Sequence, residues 1–340
     1  FGEASIKHDK ERYEHKYEYC DLLVTGSGPS GLASAYAAAK NGARVILAED
    51  KPRYGGSLLT SDVNIGNQTG VEWSEKIIAE LKSMSNVTVK NRSQVFGYYD
   101  HNMLVMSERI SDHLPKTQKY LPKQRLWYIR ANEVLISSGS IERPLVFGNN
   151  DTPGVMLSSA AKEYMKVYGV LVGKKPLIFT NNDSGYETAI EFKKNGVNPL
   201  ILDTRKEPSS DIINEAKNLN IEIKSSHVVV AAKGYKKVKS ADISKISDDK
   251  KELSKIVNIE CDCICVSGFW TPSIHLASQS GNKSEFNEKI DAFIPNKSKQ
   301  QENTIGSANG KFTLEETINE AFDKGLSLIH ISEPTRPSLI

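Results

Sequence analysis

The segment Cys20-Asp-Leu-Leu-Val-Thr-Gly26-Ser-Gly28-Pro29-Ser30-Gly31 runs on through an alanine-rich stretch to Lys40, then Gly42-Ala-Arg-Val-Ile-Leu-Ala-Glu49-Asp50, and leaves few folds open to this chain. It reads as strand, glycine turn, helix, strand and acid. Gly26 permits a tight turn off the strand, Gly28 lets the backbone approach a pyrophosphate, and Gly31 lets the helix pack closely on the sheet. The N–H groups opening the helix, with the positive end of its dipole, favour an anion at the turn. Glu49 follows about twenty residues on, where a carboxylate accepts hydrogen bonds from an adenosine ribose. The pattern predicts a dinucleotide site; the plain alternative is a glycine turn that only packs a helix on a sheet.

At 340 residues the chain has room for two domains. A formal net charge of +2, with both signs mixed along the chain, argues against a dedicated nucleic-acid or membrane surface. No apolar run approaches a membrane span and no leader pattern stands at the front, so a cytoplasmic protein is expected. Cys261, Cys263 and Cys265 alternate on an apolar segment, so on a strand they share one face, and they are read as small buried hydrophobes; no ligand spacing points to a metal. Phe1 to Tyr19 is polar and without period, and is expected to be the tail of an upstream domain. Leu326 to Arg336 resembles the translated read-through of a transposase adapter used in preparing sequencing libraries. The natural frame is therefore expected to stop near Gly325, with residues 326–340 an assembly artefact and His330 of no functional weight.

After the acid, Gly55-Gly56-Ser57 folds the chain back toward the pyrophosphate, with Ser57 able to donate to it. Val71 to Met84 has helical spacing, and Val95 lies on a strand expected to pass the adenine. Leu104 to Arg109 and Leu126 to Arg130 read as meander strands, and Asn132 to Pro144, containing Ser138-Gly139, as a further strand ending in a glycine turn. A second strand, turn, helix, strand series begins at Lys175, but Asn181, Asp183 and Tyr186 stand where glycines are wanted, and Asp183 repels a pyrophosphate. A second dinucleotide is not expected there. Tyr235 to Lys239 reads as a strand in a lysine-protected edge, and Cys261 to Gly268 as a buried strand returning to the first domain. Thr304 to Thr313, containing Ala308-Asn309-Gly310, leads into a helix from Leu314.

The layout resembles the two-dinucleotide-fold flavoproteins related to glutathione and thioredoxin reductases, without their Cys-x-x-Cys pair and with Asn309 where they usually carry Asp. It is more closely similar to the alpha subunits of heterotetrameric sarcosine oxidases, through Gly55-Gly56-Ser57, Ile141 to Phe147, Asn149 to Leu157, Phe179 to Ser184, Val266 to Pro272 and Ser307 to Gly310. That resemblance implies an α/β fold of two nested Rossmann-like three-layer domains, a dinucleotide domain of residues 20–154 plus 260–325 and an inserted domain of residues 155–259. It implies NAD, with FAD as the alternative, held by Gly26, Gly28, Pro29, Ser30, Gly31, Glu49, Asp50, Lys51, Gly56, Ser57, Val95, Ser138, Gly139, Ala308 and Asn309. It further implies beta, gamma and delta partner subunits, flavins chiefly in the beta subunit, tetrahydrofolate in a C-terminal part outside this chain, and sarcosine oxidation by the complex. No residue here is expected to be catalytic. The alternatives are the corresponding subunit of an opine or other amine oxidase, a cyanide synthase or a proline dehydrogenase; a self-sufficient FAD-dependent reductase; or a scaffold with a purely structural nucleotide.

Overall fold

The computed structural model describes residues 2, 6–8, 11–115, 120–249 and 252–327. In chain order the main elements are β1 (Tyr13–Thr25), α1 (Pro29–Lys40), β2 (Val45–Ala48), α2 (Gly70–Ser83), β3 (Val87–Lys90), β4 (Ser93–Tyr99), β5 (Met103–Arg109) and β6 (Gln124–Ile136). There follow β7 (Val155–Leu157), α3 (Ser158–Tyr168), β8 (Pro176–Thr180), α4 (Ser184–Lys194), β9 (Leu200–Asp203), α5 (Asp211–Asn218) and β10 (Glu222–Ser225). Next come β11 (His227–Lys233), β12 (Ser240–Lys245), β13 (Val257–Glu260) and β14 (Cys263–Ser267), then β15 (Glu302–Thr304) and α6 (Leu314–Ser327). They form two compact units, Phe1–Ser140 with Pro272–Ile340, and Ile141–Thr271 inserted between them.

In the first unit the sheet order is β3-β2-β1-β6-β5-β4, with β15 also paired to β6. β3, β2, β1 and β6 run parallel, while β5 and β4 return antiparallel along β6. Val45–Ala48 is buried throughout, as strands covered on both faces are. One face packs Leu22, Val24 and Leu47 against Leu32 of α1, Leu81 of α2 and Ala321 of α6; the other packs Leu23 and Ile46 against Leu104, Trp127 and Ile129. Helix α2 opens on a capping box in which Thr69 accepts from the Glu72 N–H while Glu72 accepts from Thr69.

Two expectations change here. The segment read as a tail joins β1, since Tyr13–Tyr19 pairs with Gln124–Arg130 of β6, and tyrosines with alternating charges form a strand once a neighbour supplies the ladder. Leu126 to Arg130 and the strand after it are one continuous element, β6.

The second unit has a parallel sheet in the order β7-β14-β8-β9-β10 and an antiparallel sheet β11-β12-β13. β14 pairs with β7 and β8, so the buried strand expected to return to the first domain belongs to the second. Residues 141–154 belong with it too, because Gly148 exchanges backbone hydrogen bonds with Val230 and Ala232. Cys263 and Cys265 share one core cluster, whereas Cys261 precedes the strand and packs into another. Tyr235–Lys239 is not a strand: the chain turns at Gly234, whose φ is +149°, and pairing resumes at Ser240. Of the segment 326–340, Leu326 and Ser327 finish α6 and the rest lies outside the described residues. No described helix is long and apolar enough to cross a membrane, and no three described His, Cys, Asp or Glu residues are placed to hold a metal ion.

Candidate functional site

In the first unit the strand order reverses direction beside β1, and ligands of open α/β sheets bind at the carboxyl ends of strands at such a point. Gly26 leaves β1 at φ +101°, and a Cβ there would lie 2.4 Å from the Ser137 carbonyl oxygen at the end of β6. A Cβ on Gly31 would fall 1.9 Å from the Gly26 oxygen. Gly56 turns back at φ +55°, where a Cβ would come 2.7 Å from the Gly28 Cα. Gly28 differs: nothing lies within 4 Å of where its Cβ would point. Three glycines therefore close the turn upon itself, and the fourth faces open space.

Gly28 is also the N-cap of α1 and carries no side-chain cap, while Pro29 supplies the first helical residue without an N–H. The donors of Ser30 and Gly31 thus open the helix without a side-chain acceptor. Ser30 keeps its side chain buried. These features fit a dinucleotide pyrophosphate.

Glu49, buried at the end of β2, accepts from the Ser27 N–H at 2.9 Å, from Ser27 Oγ, and from the Lys51 N–H at 3.0 Å. Burial raises its pKa and the neighbouring Asp50 adds to the rise, while the Ser27 and Lys51 donors oppose it. The Ser27 carbonyl accepts from Gly55 N–H at 3.0 Å, so this one residue joins the acid to the Gly55-Gly56 turn. Sequence reasoning passed over Ser27; a hydroxyl between the first two fingerprint glycines was the available signal. β4 is held beside the acid by the Ser93 N–H on the Glu49 carbonyl at 2.7 Å. That places half-buried Val95 against the core cluster that includes Ala48. Asp50, Lys51 and Ser57 are exposed around the same turn.

The other predicted contacts are engaged within the protein. Ser138 Oγ donates to the Ser273 carbonyl at 2.8 Å, and the Gly139 carbonyl accepts from Ser273 N–H at 3.0 Å. Ala308 is fully buried and offers no surface to a ligand. Asn309 donates to Glu320 at 3.0 Å; the same carboxylate accepts from Gly306 N–H at 2.8 Å and pairs with Lys311 at 3.3 Å. Ala308 and Asn309 thus shape the loop Gly306–Gly310, which abuts α1: a Cβ on Gly306 would lie 2.7 Å from Ser30 Oγ. Glu320 was not singled out in the sequence, since nothing local marks an acid on α6 as the anchor of a loop so far upstream.

The equivalent point of the second unit is closed. Asn182, at the carboxyl end of β8, donates at 3.1 Å to both the carbonyl and Oγ of Ser267 at the end of β14, and accepts from Ser184 N–H at 2.9 Å. A side-chain amide thus occupies the helix end where a phosphate would sit. Asp203, fully buried at the end of β9, is held by Tyr186 at 2.7 Å and by Arg205 at 2.8 Å, and Arg205 also pairs with Asp183 at 2.8 Å. The acid that could meet a ribose is already neutralised. Residues of this unit do not fit a second dinucleotide.

Among known proteins, the chain is 37% identical over 294 residues to the sarcosine oxidase alpha subunit of Rhizobium meliloti (strain 1021), covering 86% of this chain and 29% of that one. It is 32% identical over 308 residues to the alpha subunit of Corynebacterium sp. (strain P-1), covering 89% and 32%. It thus spans about a third of the length of these relatives. Among solved structures, thioredoxin reductase from T. acidophilum matches with a TM-score of 0.71 at 17% identity over 92% of this chain and 99% of that one, a likeness of fold. The family model for pyridine nucleotide-disulphide oxidoreductases matches residues 20–294, from the first residue of the fingerprint segment to a point just before β15, and the chain belongs to that FAD/NAD(P)-binding family.

Proposed function

We propose that this chain is the NAD-binding part of the alpha subunit of a sarcosine oxidase complex. Such a complex converts sarcosine, O2 and water to glycine, formaldehyde and H2O2, or passes the one-carbon unit to tetrahydrofolate as 5,10-methylenetetrahydrofolate. The observation that carries the reading is the 37% identity over 86% of the chain, an extent that reaches into both units. One open cradle beside one closed loop supports a single dinucleotide.

In this reading the Ser30 and Gly31 N–H groups hold the phosphates over Gly28 and Pro29, and Glu49 accepts from the adenosine ribose. Asp50 and Lys51 flank the adenosine, Gly56 and Ser57 close the turn, and Val95 borders the adenine. Two adjacent carboxylates disfavour a ribose 2′-phosphate, which selects NAD over NADP. Bound NAD supplies a hydride acceptor. No described residue forms a constellation of base, nucleophile or metal, so amine oxidation is assigned to flavins of a beta subunit, with gamma and delta subunits completing a cytoplasmic heterotetramer. Tetrahydrofolate is assigned to a part of the alpha subunit outside this chain.

The test is to purify the protein, denature it, and identify the released nucleotide by absorbance and mass. Released NAD from colourless protein supports the reading. Released FAD replaces it with a flavoenzyme in its own right. Oxygen uptake by the reconstituted complex, with sarcosine against opines as substrates, separates sarcosine oxidase from its amine-oxidising relatives.

A further inference from the structure

Strand β1 outruns its neighbour β2, which pairs only with Leu22–Thr25, whereas β6 follows β1 from Tyr13 onward. From His15 to Glu18 one edge of β1 is joined to β6, and no described strand lies along the other. The ladder to β6 runs without a shift from Tyr13 to Cys20, so neither a bulge nor a proline turns this edge aside. Strand alternation puts Tyr13, His15 and Tyr17 on one face and Arg12, Glu14, Lys16 and Glu18 on the other. Tyr17 is 78% exposed, and Tyr17 and His15 stack on Tyr128 of β6 with ring centroids 5.0 and 5.9 Å apart. A straight strand edge beside exposed aromatics is a template for another strand, which soluble proteins normally block.

The order of charges selects the occupant. We propose that this edge pairs antiparallel with the same edge of a second copy of the chain, about a two-fold axis at His15. A two-fold perpendicular to the sheet keeps like-numbered side chains on the same face, so only registers that match residues of equal parity are open. With His15 facing His15 of the second copy, Glu14 faces Lys16, Arg12 faces Glu18, and Tyr13 faces Tyr17, each twice by symmetry. Sliding the strands by one repeat sets Glu14 against Glu18 and Lys16 against Lys16. Sliding them the other way sets Glu14 against Glu14 and Arg12 against Lys16. Like charges directly opposite destabilise a strand pair, and opposite charges with paired aromatics stabilise it, so these two slipped registers are rejected.

Arg12, just before β1, has 61% of its side chain exposed and lies 3.1 Å from Glu14, which also pairs with Arg125 of β6 at 3.0 Å. The result is one sheet continuous through both copies, which on the reading proposed above joins two heterotetramers. An interface of one strand edge per copy lies at the small end of the range for stable complexes, so assembly depends on protein concentration.

The experiment is sedimentation velocity on the 340-residue chain over about a hundredfold range of concentration. Each variant is first checked for native circular dichroism. A concentration-dependent dimer is expected; Glu18→Lys weakens it by about tenfold or more, and Arg12→Glu combined with Glu18→Lys restores it. His15→Cys forms a disulfide-linked dimer under mild oxidation, whereas the parent chain does not; the four cysteines of the chain are all buried. A monomer at every concentration overturns the proposal, as does a dimer indifferent to the charge reversal. Cross-linking of His15→Cys to a different subunit in the purified complex also overturns it, by assigning the edge to that partner.

Discussion

Ser27→Ala isolates the one side chain that joins the acid to the glycine cradle. It removes the Oγ donor to Glu49 and the longer contact from Gly55 N–H at 3.4 Å, leaving the Ser27 N–H bond at 2.9 Å in place. A hydrogen bond to a charged group contributes roughly 1.5–3 kcal/mol, and because this one exists before ligand arrives, most of that loss falls on folding. Binding loses what comes from a displaced carboxylate that has lost one of the donors opposing the rise of its pKa. We set that at about 1 kcal/mol, or roughly a fivefold weaker Kd for NAD. The pH dependence has a definite sign. Burial raises the pKa of Glu49 above its unfolded value, so its contribution to stability is present at low pH and is lost as pH rises through the folded pKa. Ribose hydroxyls donate to the ionised form, so affinity grows over the same rise. Removing Oγ, which favours the ionised form, moves both transitions to higher pH. Calorimetric titration of NAD across pH, with urea unfolding in parallel, reads both quantities. An unchanged Kd with an unmoved pH midpoint, despite lost stability, would refute the assignment of Glu49 as a ribose acceptor positioned by Ser27.

Gly28→Ala should leave stability within about 1 kcal/mol, because its Cβ points into open space and φ is −67°, yet cut NAD binding by about tenfold or more. Gly26→Ala, at φ +101° and 2.4 Å from a backbone oxygen, should instead cost roughly 2 kcal/mol or more of stability; urea unfolding of the pair distinguishes cradle from turn. In the second unit, Arg205→Ala leaves Asp203 buried and uncompensated and should cost about 3 kcal/mol, toward the low end because the guanidinium side chain is 33% exposed; it should create no nucleotide binding. Burial pushes the thiols of Cys20 and Cys261 up to about 12, so thiol reagents at pH 8 should leave both unmodified until the protein unfolds, as followed by mass spectrometry.

The fingerprint was legible because its causes are local. A tight turn at Gly26, a close helix at Gly31 and an acid at the end of β2 each follow from spacing along one strand–helix–strand unit, and Gly28, Glu49 and Gly56 meet as that spacing predicts. The departure of the second unit's turn from the fingerprint was legible in the same way, from Asn181, Asp183 and Tyr186 standing where glycines are needed, although the Asn182–Ser267 hydrogen bonds were not. An apolar run such as Cys263–Ser267 declares itself a buried strand by composition alone, but its side chains do not name the strands beside it. Only the hydrogen-bonded ladder to β7 and β8 put it in the second unit. Tyr13–Tyr19 had no apolar period and still became strand, because β6 supplied its partners. Asn309 and Ala308 had the right place in the chain for a ligand wall, and Glu320 drew Asn309 inward while packing buried Ala308. The sequence by itself determined the strand–turn–helix–strand unit and its glycine cradle, whose geometry is set by residues near one another along the chain. The tertiary structure alone decided strand neighbours, side-chain capture by remote acids and which strand edge has no partner strand among the described residues, because those contacts join residues whose separation along the chain carries no local signal.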